Sequence, residues 1–118
     1  MKICKETIEK ITRELINTPS PVSYYDEIHP KLEKLADAYG YSITYDWKRT
    51  AYITVDGEDN SKTICIGAHL DTLGLMIRHI NEDGTLALRN LGGINYNNLE
   101  GCFCKVHTRE NKTYTGMI

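Results

Sequence analysis

His69 and Asp71 are the residues of this 118-residue chain whose types and spacing best suit chemistry. They stand two apart in Gly67-Ala68-His69-Leu70-Asp71-Thr72-Leu73-Gly74, directly after the uncharged run Thr63-Ile64-Cys65-Ile66. Such a run, rich in β-branched residues, predicts a buried strand. Extended backbone alternates its side chains, so positions two apart share a face and would set the imidazole beside the carboxylate. A carboxylate beside an imidazole is how proteins prepare a neutral, oriented metal ligand. The pair also falls just past the carboxyl end of the predicted strand, where open α/β sheets bind ligands. Taken alone, a His-x-Asp pair is a short motif that also arises as an ordinary surface hydrogen-bonding group.

The remaining candidates for coordination or proton transfer form no second cluster. They are His29, His79, His107, Glu82, Asp83, Glu100 and Glu110. His79 follows a stretch of alternating polarity and reads as solvent-facing or hydrogen-bonded. His107, between Val106 and Thr108, reads as the polar face of a strand. Glu82 and Asp83 belong to a turn, where carboxylates are ordinary. His29, directly before Pro30, reads as a residue at a helix start. The four cysteines follow no zinc or redox spacing, and Cys102-x-Cys104 reads as small packed side chains in a reducing compartment.

These residues need elements to hold them. A helix is predicted over about 5–16, with Ile8, Ile11 and Leu15 on one face, ended by Thr18-Pro19-Ser20-Pro21. A second helix carries Leu32, Leu35, Ala36 and Tyr39. Its start is either at Pro30, which suits a first helical position, or earlier, where Ser23 and Asp26 resemble a capping box. A one-turn prelude over 24–28 would satisfy both, and Gly40 is the natural carboxyl cap. The period then becomes two, with Tyr41, Ile43, Tyr45 and Trp47 predicting a half-buried strand. Further strands are predicted at 51–55, 63–66, about 75–80, 85–89, 101–108 and 113–118, with Asn81-Glu82-Asp83-Gly84 as a hairpin turn. Helix-plus-strand content before residue 72 and strands alone after it predict a boundary near 72–74.

The length suits one domain. A net charge of −2 gives no footprint for nucleic acid or an anionic membrane. No apolar run approaches the roughly 18 residues of a membrane span. Met1 to Glu6 lack the apolar core of a secretory signal, so a cytoplasmic location is expected.

After His69-Leu70-Asp71 the chain runs through Leu75-Met76-Ile77-Arg78-His79-Ile80, Asn81-Glu82-Asp83-Gly84, Thr85-Leu86-Ala87-Leu88, Leu91-Gly92-Gly93 and Cys104-Lys105-Val106-His107-Thr108-Arg109. Upstream stand Ile8-Glu9-Lys10-Ile11 and Pro19-Ser20-Pro21-Val22-Ser23. This ordered series resembles the glutamyl aminopeptidase family of dinuclear metallopeptidases, over nearly all of the chain. The resemblance implies an α/β fold: residues 1–73 would begin the catalytic domain and residues 74–118 an inserted β-rich, barrel-like domain. By its match to the family's motif, His69 would bind one of two divalent ions, zinc or cobalt, and Asp71 would hold its other nitrogen. The bridging Asp, the Glu pair and the further ligands would follow Ile118, whose apolar strand-like setting reads as a cut in the chain. The expected activity is release of amino-terminal residues from peptide substrates by a homo-oligomer, with the 118 residues inactive alone. The alternative is a non-catalytic module acting through self-association or a binding partner. Two positions depart from the family. Thr72 stands where Glu is frequent, which bears on local hydrogen bonding. Arg49-Thr50 stands where Gly-Asn is common, which makes a positive-φ turn there less expected.

Overall fold

A computed structural model describes residues 4–118. The expectation about the chain's start falls partly on Met1 to Ile3, which lie outside the described residues. Helix α1 spans Lys5–Ile16, as its apolar spacing predicts. It ends where Thr18 turns its hydroxyl back to the Glu14 carbonyl at 2.7 Å and also accepts from Lys31 Nζ at 2.7 Å.

Helix α2 spans Ile28–Ala38, two residues before Pro30, and its cap residue Glu27 makes no side-chain cap bond. Neither sequence-predicted start holds. Ser23 takes φ 73° and forms no capping box. Pro30 is tolerated inside the first turn because amide hydrogens there have no helical acceptor. At the other end Gly40 adopts φ 77°. Tyr41 N–H then donates to the Ala36 carbonyl at 2.9 Å and Gly40 N–H to Asp37 at 3.0 Å, a Schellman end as expected.

The strands form three separate antiparallel pairs. Strand β1 (Thr44–Tyr45) pairs with β2 (Ala51–Tyr52), β3 (Gly74–Ile80) with β4 (Leu86–Leu91), and β5 (Phe103–His107) with β6 (Thr113–Met117). The β3–β4 turn is the expected one: Asn81 N–H donates to Thr85 at 2.8 Å, and Gly84 takes φ 85°. A short 3-10 turn at Tyr96–Asn98, opened by the Asn95 side chain, has no counterpart in the sequence reading. The mixture of helix and strand agrees with the expectation; the strands are small antiparallel hairpins.

Three predicted strands are corrected. The one expected at 51–55 is only Ala51–Tyr52, because its pairing with β1 covers two residues. The stretch from Tyr41 to Trp47 contributes only Thr44–Tyr45, and Trp47 is left 86 % exposed on the turn. Residues 63–66 form no strand, and Ile64 and Ile66 are 90 % and 94 % exposed. A strand exists through hydrogen bonds to a neighbour, and no described residue offers one to this run. The apolar pattern gives the propensity, and the pairing is missing.

The turn joining β1 to β2 goes the opposite way from the sequence expectation. Arg49 takes φ 69°. Asp46 carries the turn, accepting from Lys48 N–H at 2.9 Å and Thr50 N–H at 2.8 Å. These bonds and the packing of the Arg49 side chain offset the strain of a non-glycine residue in this region. Its guanidinium lies 3.1 Å from His29 Nδ1 and 5.8 Å from the centroids of Tyr25 and Tyr45.

His29 is buried between those rings, 4.8 Å from Tyr25 and 4.5 Å from Tyr45, both stacked. It is a core residue rather than only a helix start. Tyr45 donates to Glu33 at 2.9 Å, and burial, with that carboxylate second, pushes its phenol up to about 12. Burial lowers the His29 pKa below the ordinary 6.5, with the Arg49 charge as second cause. A base with a depressed folded-state pKa contributes stability above its unfolded value and loses it as the pH falls through the folded value. Unfolding by urea is therefore expected to become easier as the pH drops below 6.5, with a shallower dependence in His29→Phe.

Candidate functional site

Residues 20–21, just after α1, meet residues 70–74, just before and within β3. The two segments form an isolated parallel bridge, Pro21 to Thr72. Ser20, 4 % exposed, makes three bonds across it. Its hydroxyl donates to the Leu70 carbonyl at 2.6 Å, its amide donates to Thr72 Oγ1 at 3.2 Å, and its carbonyl accepts from Thr72 N–H at 3.1 Å. Gly74 completes the fit, because a Cβ there would overlap the Pro21 ring. Pro21 serves on such an edge because it needs no amide partner.

His69 and Asp71 sit on this clasped segment. His69 Nδ1 lies 3.3 Å from Asp71 Oδ1, with the side chains 84 % and 52 % exposed. They stand side by side as the two-residue spacing predicts, on a segment outside any strand. Nε2 of His69 has no protein partner among the described residues. An imidazole with a carboxylate beside one nitrogen and the other nitrogen open fits one coordination position of a divalent ion. No three His, Cys, Asp or Glu side chains converge among the described residues, so the fit extends to that one position.

The other sequence candidates are placed elsewhere. His79 is exposed on β3, and Glu82 and Asp83 lie in the β3–β4 turn. Asp83 accepts from the Thr85 hydroxyl at 2.7 Å and amide at 2.9 Å, which lowers its pKa. Glu100 is exposed, and Glu110 pairs with Lys112 at 2.8 Å. The cysteines are free, with Cys4, Cys65 and Cys102 exposed and Cys104 half-buried against Gly116. Packing thus accounts for Cys104 but not for Cys102.

His107 does more than face a strand's polar side. Its Nδ1 lies 3.1 Å from the Tyr24 hydroxyl and 3.6 Å from Glu27 Oε1, joining β5 to the segment before α2. Tyr24 also donates to Glu27 at 3.2 Å, and burial, then Glu27, raises its pKa. A surface cavity of about 340 Å³ lies over this group. Sequence reasoning missed Ser20 and Tyr24 as contact residues; only Pro19-Ser20-Pro21, quoted for the family likeness, pointed near the clasp.

Residues 50–118 match the M42 glutamyl aminopeptidase family, the greater part of the chain. The chain belongs to that family. It is also 35 % identical, over all 118 residues, to the Bacillus subtilis (strain 168) protein named "Putative aminopeptidase YhfE". Those residues cover 34 % of the relative, so this M42 chain spans about a third of its length. Membership makes the chain part of a peptidase family, and His69 and Asp71 fall inside the matched residues. No helix among the described residues of this M42 chain is long and apolar enough to cross a membrane.

Proposed function

We propose that this chain is the amino-terminal part of a cytoplasmic, homo-oligomeric, metal-dependent aminopeptidase, in which His69 is a metal ligand and Asp71 orients it. The observation that carries the reading is the His69–Asp71 pair, 3.3 Å apart with Nε2 open, in a chain of the M42 family. Residues 1–73 then begin the α/β catalytic domain and residues 74–118 the β-rich insertion. The exposed run at 63–66 supports this division, because Ile64 and Ile66 suit a sheet completed by strands from the rest of the protein. The likeness to YhfE, three times as long, supports the same view.

Two divalent ions, zinc or cobalt, one of them held in part by His69, would supply a nucleophile from water at neutral pH and polarise the peptide carbonyl. What this chain would add is one imidazole, with a carboxylate 3.3 Å from its other nitrogen. The test is metal depletion of the intact protein with a strong chelator. Hydrolysis of peptides with a free amino terminus is expected to stop and to return with zinc or cobalt, while N-acyl amino acids stay uncleaved. Undiminished peptide turnover after complete depletion would remove the metal from the mechanism.

A second reading is a non-catalytic module that acts by association. The exposure of Ile64, Ile66 and Phe103, the last at 80 %, favours it. Absence of peptide turnover by the intact, metal-loaded protein would select it.

A further inference from the structure

We infer that Ser20 is a positioning residue for the metal ligand, acting through the backbone of Asp71; this rests on the role proposed for His69. The Leu70 carbonyl belongs to the peptide plane before the Asp71 Cα, and the Thr72 N–H to the plane after it. Both planes are held by one residue: the Ser20 hydroxyl at 2.6 Å and the Ser20 carbonyl at 3.1 Å. Rotation about φ and ψ of Asp71 turns these planes, so holding both fixes its Cα–Cβ direction. The Asp71 carboxylate in turn stands 3.3 Å from His69 Nδ1. Ser20 therefore fixes the base from which the Asp71 carboxylate approaches His69, without touching either side chain.

The clasp is built for this rather than left over from packing. Ser20 is buried, and its amide, hydroxyl and carbonyl all bond to residues 70–72. The Thr72 hydroxyl is the acceptor for the Ser20 amide. Thr72, directly after the His-x-Asp motif, is thus part of the device, and a hydroxyl there has a reason. His69 and Asp71 are themselves exposed, so surrounding side chains give them little support. Their orientation depends on backbone anchoring.

The test uses the intact protein and measures zinc affinity by competition with a chromogenic chelator, well below the unfolding temperature. Ser20→Ala removes the hydroxyl anchor alone and is expected to weaken binding about tenfold, as loss of an outer-shell partner does. Ser20→Thr keeps the hydroxyl and is expected to restore binding. Thr18→Val serves as control, since it removes a buried hydroxyl bonded to Glu14 and Lys31 but not to residues 70–72. Unchanged affinity in Ser20→Ala, alongside a large loss in His69→Ala, would overturn the inference and leave the ligand role of His69 standing. Equal weakening by Thr18→Val would overturn it as well, by tracing the effect to stability in general. Unchanged affinity in His69→Ala would overturn the ligand role and this inference together.

Discussion

His69→Ala in the intact protein is expected to lower peptide hydrolysis by at least about 10³-fold, equivalent to about 4 kcal/mol of transition-state stabilisation. Loss of a ligand removes a metal's charge or displaces it, and no substitute is at hand among the described residues. Among the described residues no three potential donors converge, so a displaced ion has no second cluster to occupy. Asp71→Asn is expected to be milder, about 10–100-fold, because an amide still meets the imidazole but favours a different tautomer and orientation. The measurement is kcat/KM for a peptide with a free amino terminus at saturating zinc. Unchanged kcat/KM in His69→Ala would exclude that residue from the mechanism.

The second large effect concerns the 118 residues by themselves. They are expected to self-associate and to hydrolyse no peptide. A folded chain of 13.4 kDa should expose about 6,500 Å². The accessible surface here is 10,367 Å². The radius of gyration is 18.1 Å, against about 13.5 Å for a compact chain of this length. Only Ile28 and Ala36 count as buried apolar residues among those described. The β-hairpins also present open edges, which invite pairing with further strands.

Apolar surface on this scale is covered by other chains when nothing else covers it. Complete burial of one isoleucine contributes about 1.5–3 kcal/mol. Replacing Ile64 and Ile66 together by Lys is accordingly expected to weaken self-association at least about 100-fold, read by light scattering over a dilution series. In the intact protein the same double substitution should instead lower stability, since the run would lie against its own sheet. A monodisperse monomer from the unsubstituted 118 residues would sink the expectation.

Much of this was legible in local spacing. Helix α1 and the Gly40 cap follow from periodicity and from the one residue suited to a left-handed helix end. The four strands after residue 73 lie close to their predicted bounds, because hairpins are stabilised by neighbours in sequence. The 63–66 strand failed for the opposite reason: no described neighbour pairs with it, and sequence composition does not show whether a strand has a partner. Arg49 misled in another way, since its positive φ is held by the Asp46 bonds and by His29, Tyr25 and Tyr45, contacts invisible in a dipeptide.

For the candidate site, the sequence by itself determined the pairing of residue types: an imidazole and a carboxylate two residues apart share a face of extended chain, because alternation is a property of the backbone. The tertiary structure alone decided what holds them. Ser20 is about fifty residues from the pair, and no local period connects them. The link between His107 and Tyr24 spans 83 positions. Contacts of that kind arise only once the chain has folded back on itself, bringing buried hydroxyl and amide groups together where each must find a partner.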